Sequence, residues 1–133
     1  MATLSEKARS FLNEQRFAVL ATINQSGIPQ QTTMWYLVEG DTILMNTKAG
    51  RLKERNMRRD SRISICVEDG YRYVTISGKV EIIDDPEISQ RDIHRLAARY
   101  HGEETAARQV AEQFAREHRV TLHMQCEHIH EYL

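Results

Sequence analysis

The sequence is short of proline, cysteine and long apolar runs. Two prolines and six glycines in 133 residues leave no Pro/Gly-rich linker, and no internal repeat or low-complexity tract interrupts the chain. One domain spanning 1–133 is the simplest organisation. A chain of that length buries about two-thirds of its unfolded surface without help from a metal or a disulfide. The two cysteines, Cys66 and Cys126, lie far apart in strand-like runs. They read as buried free thiols rather than a disulfide framework. No apolar run approaches the ~20 residues of a membrane helix. The N-terminal "MATLSEKARSFL" mixes acids with bases and lacks the apolar core of a signal peptide. A cytoplasmic protein without membrane association is expected. Overall charge of one sign is also missing: 18 basic against 19 acidic side chains give −1. That balance argues against a general nucleic-acid binder, and no nucleic-acid partner is expected.

What is present is a 41% hydrophobic fraction laid out with strand and helix periods. Ser5 is placed to cap a short helix whose apolar face is Ala8, Phe11 and Leu12. "RFAVLATIN" reads as a strand, "NQSGIP" as a turn, and "QQTTMWYLV" as an unbroken second strand. "EGD" turns the chain into "TILMNT", a third strand antiparallel to the second. A helix is predicted from about Arg51 to Arg58. "RISICVE" and "YRYVTISGKVEIID" are strands again. In the latter, Val74, Ile76, Val80 and Ile82 face one way and Thr75, Ser77, Lys79 and Glu81 the other. Gly78 interrupts the inward series and marks a bulge or a close approach. Two helices follow, one with Ile93, Leu96, Ala97 and Tyr100 on a face, the next with Ala107, Val110, Ala111 and Phe114. "RVTLHMQCEHIHEYL" closes the chain as a strand. The expected fold is mainly β with flanking helices: six antiparallel strands closing on themselves as a small barrel, which removes exposed edges.

Charge is unevenly spread along this plan. From Lys48 to Arg62 the chain carries seven basic and two acidic residues, a net +5 that leaves −6 elsewhere. The segment opens where a strand ends, so Thr47, Gly50 and the first free N–H groups of a helix stand together. Such a terminus attracts anions. Arg51, Arg55 and Arg59 are four apart and share a helix face, while Lys53 points elsewhere. A charge of +5 exceeds the −1.5 to −2 or so of one phosphate. The second strand offers the other half of a site. Gln31, Thr32 and Thr33 are polar and uncharged; Met34, Trp35 and Tyr36 are large. A flat ring system suits this mixture.

The run from Gly27 to Glu87 resembles the core of the pyridoxamine 5′-phosphate oxidase-like, FMN-binding split β-barrel proteins. Within them it is most similar to the flavin/deazaflavin oxidoreductases that use coenzyme F420. The resemblance rests on Gly27 and Pro29 before the second strand, on Trp35 and Tyr36, and on Thr47, Arg51, Lys53, Arg55 and Asn56 around the basic helix. Many relatives carry a proline where this chain has Thr33. The resemblance implies a homodimeric split barrel with cofactor sites at the subunit interface. It implies a cofactor site built from Gln31, Thr32, Thr33, Met34, Trp35, Asn46, Thr47, Gly50, Arg51, Lys53, Arg55 and Asn56. It also implies hydride transfer between the deazaflavin and an unsaturated organic substrate, with the cofactor carrying the chemistry.

Other readings compete. FMN is the alternative cofactor, since its phosphate would use the same Thr47, Arg51 and Lys53. A non-enzymatic binder of a flavin or another flat ligand is a further alternative. No catalytic acid is assigned, although Tyr71, Arg72 and Tyr73 are candidates for lining a pocket. Cys126, His128 and His130 are expected on one strand face, a spacing two imidazoles need to share a metal. With no H-E-x-x-H pattern and the other ligand types scattered, no metal site is expected.

Overall fold

The computed structural model describes residues 2–133. The first helix, α1 (Glu6–Asn13), starts where the Ser5 hydroxyl accepts from the Ala8 N–H at 3.0 Å. It buries Ala8, Phe11 and Leu12, as its periodicity predicts. Strand β1 (Ala18–Ile23) then pairs with β2 (Pro29–Met34) on one side and with β5 (Arg62–Glu68) on the other. Strand β3 (Leu37–Glu39) forms a hairpin with β4 (Thr42–Lys48), which leads into helix α2 (Leu52–Arg59). The long strands β6 (Tyr73–Ile83) and β7 (Arg119–Tyr132) complete one antiparallel sheet in the order β2-β1-β5-β6-β7-β4-β3.

The sheet has seven strands, not the six expected. The segment read as one second strand breaks at Trp35 and Tyr36, and its halves occupy the two opposite edges of the sheet. The chain thus links both edges covalently, which is how the barrel closes. The break is held by side chains. Tyr36 is fully buried, its hydroxyl donates to the Leu12 carbonyl at 2.7 Å, and its own N–H goes to the Tyr100 hydroxyl at 3.3 Å. A backbone donor that leaves a ladder needs such a partner when buried.

The barrel core contains Leu20, Ile43, Met45, Ile65, Ile76, Leu122 and Met124, all essentially inaccessible. Against the outside of β4 and β7 lies α3 (Pro86–His101), capped by Asp85 and stopped at Gly102, whose φ is +83°. Ser89 and Asp92 of α3 fasten it there: the Thr121 hydroxyl donates to Asp92 at 2.8 Å and the Asn46 amide to the Ser89 carbonyl at 2.9 Å. Helix α4 (Glu103–Glu112) follows, then a 3-10 turn, Phe114–Arg116. The expected apolar face of α4 is displaced. Ala106 is buried while Ala107 and Ala111 are exposed, and Phe114 reaches the core from the 3-10 turn. Alanines carry too little apolar area to fix a helix's phase.

Gly78 is both the bulge and the close approach that its position suggests. A Cβ there would lie 1.8 Å from the Gln125 carbonyl oxygen. The register shifts at the same point: Gly78 pairs with Cys126, Ser77 with His128, and Glu127 is the extra residue. This bulge inverts the alternation of β7. Cys126 points into the core, fully buried, whereas His128 and His130 stand on the outer face. The three residues therefore do not share a face, and among the described residues no cluster of three or more metal-ligating side chains occurs. Burial pushes the Cys126 thiol up to about 11, as befits a core group. No helix is long and apolar enough to cross a membrane among the described residues.

Candidate functional site

The local charge of Lys48–Arg62 is largely resolved by pairing. Arg58 pairs with Glu54 and lies 3.6 Å from Asp84, Arg62 binds Asp60, and the Lys48 ammonium is 4.0 Å from Glu117. Arg59 bonds to the Ile23 carbonyl and to Asn56. Three cations of the segment make no side-chain hydrogen bond or ion pair among the described residues: Arg51, Lys53 and Arg55. Of these, Lys53 is 8% exposed. Burial first, then the nearby charges of Arg51 and Arg119, lower its ammonium below the usual lysine range.

Arg51 sits at the N-cap of α2 and lines a cleft of about 210 Å³. Thr33, Met34 and Trp35 from the end of β2 form one wall, and Asn46 of β4 and Arg119 of β7 stand beside Arg51. Ile93 and Leu96 of α3 with Phe114 of the 3-10 turn complete the apolar lining, and Trp35 packs against this same cluster. Arg119 is itself 6% exposed, with its guanidinium 5.0 Å from the Phe114 ring centroid. Its Nε donates to Asn46 at 3.0 Å and one terminal nitrogen donates to Glu117 at 2.9 Å. Burial lowers its pKa, Glu117 opposes that shift, and Arg51 adds to it. Arg51, Lys53 and Arg119 thus form a cationic group, of which Arg119 is paired with the Glu117 carboxylate.

Thr33, Met34, Trp35, Asn46 and Arg51 of the expected set meet at this cleft, and Lys53 lies within electrostatic reach of it. Thr32 and Thr47 lie on the inner side of the barrel, each with a buried hydroxyl that has no hydrogen-bond partner. The others are elsewhere. Gln31 lines a separate cavity of about 380 Å³ on the outer face of the sheet, with Cys66, His128 and His130. The Gly50 N–H, just before the basic helix, is taken by the Glu54 carboxylate at 2.8 Å. Burial raises the pKa of Glu54, but the Gly50 N–H and Arg58 outweigh it and hold the carboxyl below its ordinary value. Arg55 and Arg59 line a third hollow with Gln25 and Leu52. Asn56 is fully buried and bonds to Thr22 and Asn24 at 3.1 and 3.0 Å. Tyr36 is a core residue, and Tyr71, Arg72 and Tyr73 do not line the cleft.

Trp35 is held by aromatic stacking. Tyr100 lies between Trp35 and Phe17, with centroids 5.4 and 5.3 Å away and planes 13° and 11° apart. The sequence reading missed Arg119, Phe114 and the α3 wall. An arginine opening an apolar strand is the signal that points to Arg119, but only the register, Lys48 opposite Arg119, brings it to the basic segment.

A sequence model described as pyridoxamine 5′-phosphate oxidase matches residues 4–131. The chain belongs to the pyridoxamine 5′-phosphate oxidase family. Solved structures agree. A conserved hypothetical protein from Mycobacterium tuberculosis superposes with a TM-score of 0.83 at 33% identity, over 97% of this chain and 84% of that one. An F420 reductase superposes with a TM-score of 0.77 at 25% identity, over 96% of this chain and 98% of its own. A pyridoxamine 5′-phosphate oxidase-type protein from Listeria innocua, 18% identical with a TM-score of 0.72 over 95% of both chains, shares the fold. The split barrel of the pyridoxamine 5′-phosphate oxidase family is therefore the architecture here, and the family includes oxidoreductases.

Proposed function

We propose that this chain binds coenzyme F420 and acts as an F420-dependent oxidoreductase on an unsaturated organic substrate. The observation that carries the reading is the cationic group at the cleft. A buried cation without a counter-ion is costly; Lys53 is buried and Arg51 is exposed, and neither has an ion-pair partner among the described residues. A phosphate at this cleft would supply the missing charge. The likeness to an F420 reductase at 25% identity favours a deazaflavin as the bearer of that phosphate.

The residues fit such a group. Arg51, Lys53 and Arg119 would hold the phosphate, whereas Thr47 faces the inside of the barrel and does not line the cleft. Met34 and Trp35, together with Ile93 and Phe114, offer the apolar surface that a flat ring needs. When bound, the deazaflavin supplies the hydride chemistry. The protein's part is to bind, orient and keep water from the ring. Among the described residues no carboxylate, histidine or tyrosine lines the cleft, and no proton donor is assigned.

The cleft, about 210 Å³, is smaller than the ~300–1,000 Å³ of typical small-molecule sites. A second copy of the chain completing it fits this size, and a homodimer in the cytoplasm is part of the proposal. FMN stays as the second reading for a specific reason. FMN's phosphate would use the same Arg51, Lys53 and Arg119, and with Arg58 and Arg62 paired internally the basic segment leaves no large surplus of charge for an acidic tail. The test is the absorption spectrum and mass of the ligand that co-purifies from a deazaflavin-producing host. Coenzyme F420 is expected; FMN alone would overturn the assignment.

A further inference from the structure

Among the described residues, Glu117 is the acidic side chain that bonds to a member of the cationic group. It is 14% exposed, accepts from Arg119 at 2.9 Å and lies 4.0 Å from Lys48. Its place is fixed by the backbone: the Gln90 amide donates to the carbonyls of Phe114 at 2.8 Å and of Glu117 at 3.3 Å. Its partner is fixed too. Asn46 holds Arg119 by Nε and is itself tied to the Ser89 carbonyl. The carboxylate is therefore held beside the guanidinium and cannot leave without breaking this packing.

We propose that Glu117 sets the charge of the anion site and so selects between kinds of phosphate. With Lys48 counted beside Arg51, Lys53 and Arg119, it lowers the sum from +4 to +3. Its repulsion scales with the charge of the bound group. A phosphate monoester, as in FMN, carries nearly two negative charges near neutral pH; a phosphodiester, as in coenzyme F420, carries one. The carboxylate thus weakens the monoester about twice as much, on a free-energy scale, as the diester. The dianion also loses more hydration on entering a buried site. A site that bound any phosphate would gain from a neutral residue here; a site that favours a diester gains from an acid.

This inference rests on the cleft binding the cofactor's phosphate, and its test separates the two claims. Riboflavin, coenzyme F420 and FMN carry phosphate charges of none, one and nearly two. Dissociation constants are measured for all three with the wild type, Glu117→Gln and Glu117→Asp. The glutamine keeps a hydrogen-bond acceptor for Arg119 and removes only the charge. At Coulomb energies of about 1 kcal/mol per unit charge pair, the Gln variant should leave riboflavin unchanged. It should tighten the deazaflavin about threefold to fivefold and FMN about tenfold or more. The Asp variant should return to wild-type behaviour. Equal shifts for all three ligands, or weaker binding of both phosphorylated ones, would overturn the proposal and make Glu117 a prop for Arg119. If the wild type binds the flavins but not the deazaflavin, the cofactor assignment falls. The FMN and riboflavin pair still decides the role of Glu117.

Discussion

Arg119 on the last strand donates from Nε to the Asn46 side chain of β4 at 3.0 Å. This bond aims a buried guanidinium at the cleft that the basic helix borders. Replacing Arg119 by methionine keeps most of the packing on Phe114 and removes the charge. A charge-assisted hydrogen bond contributes about 1.5–3 kcal/mol. Affinity for the phosphorylated cofactor should fall about tenfold to a hundredfold, while riboflavin binding changes little. Asn46→Ala should weaken phosphorylated ligands less, since the guanidinium remains. Calorimetric titration of each variant checks both.

Lys53 is the second anchor in the proposed site, and its burial gives a pH signature. Its folded pKa lies below the ordinary value of 10.5. Between those two values the unfolded chain binds more protons than the folded one, so stability rises with pH across that window. The penalty is fully present below the folded pKa and gone above 10.5. Lys53→Met should remove this contribution, flattening the rise relative to wild type in denaturant titrations. It should leave stability near pH 7 equal or higher, because an uncompensated buried cation disappears. Phosphorylated ligands should bind about tenfold or more weakly. A variant less stable at neutral pH would mean that Lys53 has a partner in solution.

Asn56 separates scaffold from site. It belongs to the basic motif, yet its amide serves Thr22 and Asn24 and its carbonyl oxygen accepts from Arg59. Asn56→Ala should cost about 1–3 kcal/mol of stability by orphaning buried partners. Intrinsic ligand affinity, measured well below the melting temperature, should stay within about twofold of wild type. A large affinity loss without a stability loss would return Asn56 to the cofactor site.

The alternating strands, the Ser5 cap and the Gly78 bulge are legible in the sequence because each is a local rule. Val74, Ile76, Val80 and Ile82 announce a face, and the glycine among them announces a defect. The break at Trp35 and Tyr36 is not legible. It depends on Leu12 and Tyr100, distant in sequence, taking the polar groups that a strand ladder would otherwise satisfy. The same holds for the faces of Cys126 and His128, which are inverted by a bulge whose cause is on another strand. At the site, Thr33 to Trp35 and Arg51 could be placed from the motif and the turn. Arg119 could not, because only pairing of β4 with β7 carries it there. Arg55 and Arg59 share a helix face with each other, but Arg51, at the cap, turns toward the cleft instead.

Gly78 makes the most local stability claim. A Cβ 1.8 Å from a backbone carbonyl has nowhere to go, since neither strand is an edge. Gly78→Ala should destabilise the protein by about 3 kcal/mol or more. Chemical denaturation decides it. A loss under about 1 kcal/mol would mean that the β6–β7 bulge can relax.

The central claim is that the cleft beside Arg51, Lys53 and Arg119 is built for a deazaflavin's phosphodiester. The direct measurement is paired calorimetric titration of the wild type with coenzyme F420 and with FMN at the same salt and pH. The account predicts tighter binding of coenzyme F420, with the preference shrinking on Glu117→Gln and both affinities falling on Arg119→Met. Tighter binding of FMN, with Arg119→Met behaving like wild type toward both ligands, would contradict it.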